Sequence, residues 1–380
     1  MDPTANISSR SGHHSIRDYA LNPLIVYWET TQACALACRH CRAEAMPCGH
    51  PQELTHAESQ DLLRQIASFG NPLPHLILTG GDPLQRTDLY ELIDDARALG
   101  LEVSITPSAT NRLTQEAIGR LKQHGIQSIG LSLDGSSAER HDSLRGVAGC
   151  FESTIRAAQT AAHLGLPTQI NTLVSQETAD DLPAIYELLQ NLGIMRWSLF
   201  FLIATGRGRT LAELTPAAGE ALMNWVCDIS KISRFAIKTT EAPSYRRVAL
   251  TRMPLQESSI ERQRRSLYQG FGIRDGNGIV FVSNTGNVFP SGFLPLPAGN
   301  IRENPLADIY RHTPLFRSLR IPSHFSGKCG YCEYREICGG SRARAFAHTG
   351  NPLASDPLCD FEPLHRSSPA SPPNVAQAAR

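Results

Sequence analysis

Six short runs rich in apolar, β-branched and aromatic residues, at 24–29, 75–79, 102–106, 128–133, 168–174 and 196–202, are separated by long stretches of helical periodicity. The helical stretches fall near 56–69, 87–99, 114–124, 150–164 and 179–192, and Leu89, Leu92, Ile93, Ala96 and Leu99 mark the apolar face of the second. Strand, helix, strand in steady alternation leaves few folds open. Parallel neighbours need long crossovers, a helix is the usual crossover, and its hand is fixed. The predicted class is α/β, a partial (β/α)6 TIM-like barrel over residues 20–210, with functional groups expected at the C-terminal ends of the strands.

The loop after the first strand carries Cys34, Cys38 and Cys41 at C-x3-C-x2-C spacing. Four thiolates would close the coordination of a four-iron cluster, so three leave one iron open to a small molecule. Zinc is the alternative, with His40 as a fourth ligand. A second set, Cys329, Cys332, Cys338 and Cys359 at C-x2-C-x5-C-x20-C, is a closed tetrad suited to a fully protein-ligated cluster or to tetrahedral zinc. It follows a predicted hairpin, 278–283 and 287–290, whose turn Asn284-Thr285-Gly286 places glycine where φ is positive. Cys48, Cys150 and Cys227 have no partners at ligand spacing and read as packing residues, with Cys48 the nearest of them in sequence to the first loop.

With 36 basic and 36 acidic side chains and 41% hydrophobic residues, the 380-residue chain reads as a soluble globular protein. Its balanced charge offers no footprint for nucleic acid or anionic membrane, and no apolar segment approaches the ~20 residues of a spanning helix. Such a chain can bury its own core without disulfides and shows no signal peptide, so the expected compartment is the reducing cytoplasm. Residues 1–19, with an isolated His13-His14 pair, and the Ser-, Pro- and Ala-rich 364–380 read as flexible tails. A mostly helical bridge is expected over 211–275, and a small hairpin-and-helix domain over 276–363.

The cysteine triplet right after a first strand, followed at strand two by Gly80-Gly81-Asp82-Pro83, resembles the radical S-adenosylmethionine (SAM) superfamily. Strand four adds Ser132-Leu133-Asp134-Gly135, then His141-Asp142 and Arg145-Gly146, and the last strand ends in Gly206-Arg207-Gly208. The family usually has Glu where Asp82 stands. The resemblance implies an enzyme whose open iron chelates SAM and, once reduced, cleaves it to methionine and a 5'-deoxyadenosyl radical. It implies Cys34, Cys38 and Cys41 as the catalytic 4Fe-4S ligands, and Gly80, Gly81, Ser132 and Arg145 as SAM contacts, Arg145 toward the methionine carboxylate. Trp28 and Phe201 are candidates to line the barrel, and core packing explains them equally well; Leu202 is a candidate contact of the adenosyl group, and core packing explains it better.

The C-terminal tetrad resembles the SPASM or Twitch auxiliary-cluster domain, so Cys329, Cys332, Cys338 and Cys359 would hold an auxiliary 4Fe-4S cluster. Ser291 stands where fuller SPASM domains have a cysteine for a further cluster. The string from Cys329 to Cys359 is similar to that of radical SAM proteins of alternative haem and haem d1 biosynthesis, which remove or cleave tetrapyrrole propionates. That likeness implies a tetrapyrrole substrate and a flavodoxin or ferredoxin electron donor. Arg342 and Arg344 would then meet substrate carboxylates or lie on a helix surface. Modification of a ribosomally made peptide is the alternative activity, and a non-enzymatic metal-binding interaction protein the distant one.

Overall fold

The computed structural model describes residues 17–252 and 272–364. The expected tails lie outside the described residues except for 17–19 and 364, as do His13-His14 and positions 253–271 of the bridge. Strands β1 (Ile25–Glu29), β2 (His75–Thr79), β3 (Val103–Ile105), β4 (Ser128–Ser132), β5 (Thr168–Val174), β6 (Arg196–Phe201) and β7 (Ala236–Thr240) form consecutive parallel neighbours. Between them run α1 (His56–Ala67), α2 (Leu89–Ala98), α3 (Gln115–Gln123), α4 (Ala138–Arg145), α5 (Cys150–His163), α6 (Leu182–Leu189) and α7 (Pro216–Ile229). The six expected strands stand where the apolar runs placed them. The sheet does not close, and the fold is a partial TIM-like barrel.

Side-chain alternation along the strands separates two environments. Val26, Trp28, Leu76, Leu78, Ile105, Leu131, Ile170, Trp197 and Leu199 are fully or almost fully buried in the main core. On the alternate face Tyr27, Thr79, Thr106, Ser132, Asn171, Phe200 and Thr240 line a central cavity. A closed barrel fills this space with bulky aliphatic side chains. Here much of the inner face is polar and encloses a cavity of about 310 Å³. The helices are set by local signals. Thr55 and Glu58 form a reciprocal capping box at α1, and α4 ends at Gly146 with φ 71°.

Three features depart from the expectations. The bridge contains β7, whose charged Lys238 obscures its strand character, between α7 and the helix α8 (Tyr245–Thr251). α4 was not anticipated, because its sequence is polar on nearly all sides. The hairpin strands β8 (Ile279–Val282) and β9 (Asn287–Phe289) extend the barrel sheet itself: β8 lies parallel to β1, pairing Phe281 with Tyr27. With β10 (Gly299–Asn300) the order is β10-β9-β8-β1-β2-β3-β4-β5-β6-β7. Gly286 takes φ 84°, as its turn requires. The C-terminal segment thus contributes a wall of the cavity through Ile279, Phe281, Ser291, Gly292 and Phe293.

Candidate active site and a second cysteine pocket

The loop after β1 is held on all sides by groups distant in sequence. From β2, Gly81 N donates to Thr31 O at 2.8 Å and Asp82 N to Ala33 O at 2.7 Å. This contact explains the two glycines. A Cβ on Gly80 would sit 2.4 Å from Thr31 O, and one on Gly81 would sit 2.3 Å from Ala33 O. From below, Glu53 accepts from Thr31 Oγ1 (2.9 Å), Gln32 N (2.8 Å), His50 N (3.0 Å) and Asn284 Nδ2 of the hairpin (3.2 Å). From β6, Arg207 donates through Nε to Cys38 O (3.0 Å) and through Nη1 to Ala45 O (3.4 Å). Gly206, at φ 52°, leaves room for the Cys41 and Arg42 carbonyls.

Cys34, Cys38 and Cys41 all line the cavity, together with Gly80, Gly81, Ser132 and Arg145. The structure therefore brings together every residue expected at the first site. Cys34 and Cys38 are buried among apolar neighbours, and the Cys34 sulfur accepts from Leu36 N at 3.4 Å and lies 3.5 Å from Ser108 Oγ. Burial pushes the Cys34 thiol up, against the lowering effect of those hydrogen bonds. A thiolate there needs a bound cation beside it, as an iron centre provides. Among the described residues no three His, Cys, Asp or Glu side chains converge as ligands of a single ion would. Cluster ligands, each on a different iron, need not converge in that way.

Arg145 reaches the Cys38 sulfur, Nη1 at 3.6 Å, and is ion-paired with Asp134. Burial alone would raise the Asp134 carboxyl, but Arg145, then His40 and His141, hold it below the usual range. Burial pushes His40 and His141 down to about 4, so both rings are neutral. His40 faces Asp134, with Nε2 at 3.8 Å. Arg145 Nε and Arg207 Nη2 are buried donors with no partner among the described residues. Such orphans fit a site built for an anionic group that the chain does not itself supply.

Asp82 is fully buried and works as a tie: it accepts from Leu84 N (3.2 Å), Ser108 N (3.3 Å) and Thr110 Oγ1 (2.9 Å). Trp28 packs in the core and its neighbour Tyr27 takes the place in the cavity, while Phe201 and Leu202 line it. Cys48 is exposed and Cys227 belongs to the core. Cys150, read as a packing residue, lies against Cys38 in the same apolar cluster and on the cavity wall, its thiol pushed up to about 11 by burial. No motif marks Glu53, the bond that Asp134 N donates to His141 Nδ1 (3.0 Å) or Arg207's brace.

Cys329, Cys332, Cys338 and Cys359 line one second pocket with Arg247, Asp356 and Phe361. Cys329 accepts from Asp356 N (3.5 Å) and Arg342 Nη2 (3.5 Å), Cys332 from Tyr334 N (3.4 Å) and Cys338 from Gly340 N (3.4 Å). Burial raises Cys338 to about 12 and Cys359 to about 11, so at neutral pH these thiols ionise only beside a bound cation such as a metal. Arg342 and Arg344 neither reach the cavity nor lie on a helix surface: they are 0% and 1% exposed. Arg342 ties Gly340, Pro352 and Ala354 carbonyls together, and Arg344 binds the carbonyls of Leu202 and Glu241. Their guanidinium groups weld the tetrad's segment to the ends of β6 and β7.

A cysteine triplet on the loop after β1, facing the cavity of an open (β/α) barrel, defines an iron-sulfur enzyme of the partial-barrel class. Residues 28–189 match the model of the Radical SAM superfamily. The chain is 38% identical to the AdoMet-dependent heme synthase of Oleidesulfovibrio alaskensis, over 91% of this chain and 89% of that one. It is also 38% identical to the AdoMet-dependent heme synthase of Methanosarcina barkeri, over 90% and 97%. Among solved structures, SuiB of Streptococcus suis, seen with S-adenosylmethionine and with precursor peptide SuiA, shares the fold at TM-score 0.70 and 19% identity. It covers 90% of this chain, which in turn spans 78% and 76% of the two SuiB chains. The chain belongs to the radical SAM superfamily, whose members use a 4Fe-4S cluster and SAM. Among the described residues, no helix is long and apolar enough to cross a membrane.

Proposed function

We propose that this enzyme removes carboxylate from propionate side chains of an iron tetrapyrrole, as the names of its haem synthase relatives suggest. Cys34, Cys38 and Cys41 would hold the catalytic cluster, and Gly80, Gly81, Ser132 and Arg145 would hold SAM. Cys329, Cys332, Cys338 and Cys359 would hold an auxiliary cluster. The bound cluster, reduced by a flavodoxin or ferredoxin, supplies a 5'-deoxyadenosyl radical that takes one hydrogen atom from a substrate carbon. Loss of that hydrogen atom to the adenosyl radical, of CO2, and of one electron, which an auxiliary cluster held by Cys329, Cys332, Cys338 and Cys359 would accept, turns a propionate into a vinyl group. The chain's own part is positioning and the exclusion of water. The proposed organisation is a core over 20–210, a bridge over 211–275 and an auxiliary domain over 276–363, in the cytoplasm.

The observation that carries this reading is the cavity that unites the triplet, the strand-end groups and the orphaned donors of Arg145 and Arg207. Modification of a ribosomally made peptide is the second reading, supported by the fold shared with SuiB. The test is anaerobic turnover by the reconstituted enzyme with SAM, dithionite and either iron-coproporphyrin III or a peptide encoded beside the gene. Mass loss from the tetrapyrrole alone supports the proposal. A modified peptide with unchanged tetrapyrrole would replace it with the second reading.

A further inference from the structure

Glu241 closes β7 with φ 58°, one of two non-glycine residues with positive φ among the described residues. A residue in that region is uncommon and persists only where its surroundings hold it there. The hold is visible: its carbonyl accepts from Arg344 Nη1 at 2.8 Å, while Arg344 Nη2 binds the Leu202 carbonyl at 3.0 Å. The strained turn aims the side chain at the cavity, whose wall it forms.

The carboxyl has two different ends. Oε2 accepts from Ser341 Oγ at 2.5 Å, and that hydroxyl accepts in turn from Arg344 N at 3.1 Å, so its one hydrogen points at Glu241. Oε1 has no hydrogen-bond partner among the described residues, yet it is not among the buried orphan atoms. It is therefore open to the cavity. From Ser341 the contacts continue to the second cysteine set, Ser341 N to Asp356 Oδ2 at 2.8 Å and Asp356 N to Cys329 Sγ at 3.5 Å.

We propose that Glu241 is a substrate-binding group: a neutral carboxylic acid whose Oε1–H donates a hydrogen bond to a carboxylate of the substrate in the cavity. This rests on the tetrapyrrole reading above. Burial, then the facing carboxylate of Asp275, raises the group to about 8; Asp356 adds to the rise, and Ser341 and Arg344 oppose it. Tyr27 faces it from β1. A carboxyl kept neutral in this way can donate to an anion at neutral pH, where an ionised one would repel it.

The experiment is absorption titration of the anaerobic holoenzyme with iron-coproporphyrin III at pH 7 and pH 9. If only the acid form binds, the competent fraction falls as the pH passes the carboxyl's raised value, and wild-type affinity weakens severalfold between pH 7 and pH 9. Glu241→Gln, neutral and still a donor, keeps its pH 7 affinity and loses that dependence. Lys238 of β7 is present in both proteins, so its contribution cancels in the comparison. Glu241→Ala binds at least fivefold more weakly at pH 7. A Gln variant that follows the wild-type pH dependence, or an Ala variant that binds as wild type does, overturns the assignment of Glu241. Wild-type protein that binds no iron-coproporphyrin overturns the tetrapyrrole reading and, with it, the ligand assigned here.

Discussion

Gly81→Ala tests the contact that locks the cysteine loop. The new methyl would lie 2.3 Å from Ala33 O, 2.6 Å from Gln32 O and 2.7 Å from Ala33 C, while ordinary contacts begin at 3.4 Å. All three atoms are backbone, so no side chain can swing aside. The loop must retreat by about 1 Å, which breaks the bonds from Gly81 N to Thr31 O and from Asp82 N to Ala33 O. At about 1 kcal/mol for each bond, plus about 1 kcal/mol of residual overlap, the cost is about 3 kcal/mol. It falls on Thr31, Gln32 and Ala33, the three residues preceding Cys34. A difference of that size is about two orders of magnitude in the population of the correctly shaped loop. Iron analysis and electron paramagnetic resonance after anaerobic reconstitution read it: the tetrad's cluster persists while that of the triplet is lost. A variant with the full signal of both clusters would refute the idea that backbone contact is what demands glycine here.

Arg207→Ala removes two charge-assisted bonds to the Cys38 and Ala45 carbonyls, a loss of about 3 kcal/mol in loop stability, and lowers iron at the triplet; Arg207→Lys does not restore it, because one ammonium cannot span both carbonyls. Iron content per chain checks both variants. His141 titrates at 6.5 in the unfolded chain and at about 4 in the folded one, so between those values the unfolded state binds the extra proton. Stability then falls as pH drops from 6.5 toward 4, by at most about 1.4 kcal/mol per pH unit for this group. Denaturant titrations across that range should show a shallower fall in His141→Asn, whose amide oxygen can still accept from Asp134 N. Cys359→Ala lowers bound iron by about four atoms per chain and leaves 5'-deoxyadenosine formation intact, measured by chromatography of the quenched reaction.

Strand positions were legible because each of the first six carries apolar residues that face the main core, such as Val26 and Trp28 or Leu76 and Leu78. β7 was not, since Ala236-Ile237-Lys238-Thr239-Thr240 has one large apolar residue among one charged and two polar ones and offers little apolar signal. The pairing of β8 with β1 joins segments from opposite ends of the chain, a choice made by packing and topology that no local pattern records. In the site, cysteines and glycines announce themselves because few other residues do their work. Their supports are ordinary polar residues. Glu53, Arg207 and Asp134 acquire their roles only from the carbonyls, amides and charges that the fold sets beside them. Arg342 and Arg344 show the reverse failure: their charge suggested a surface or a substrate, and the fold buries both against backbone carbonyls.

The central claim is that the triplet loop and its cavity perform reductive SAM cleavage directed at a tetrapyrrole side chain. Anaerobic single-turnover reaction with dithionite, SAM and iron-coproporphyrin III, followed by mass spectrometry, tests it most directly. The account predicts one 5'-deoxyadenosine formed for each carboxylate lost, and neither product in a Cys34→Ala, Cys38→Ala, Cys41→Ala triple variant. Tetrapyrrole left intact by wild-type enzyme that cleaves SAM, or tightly bound zinc with no SAM cleavage at all, would contradict it.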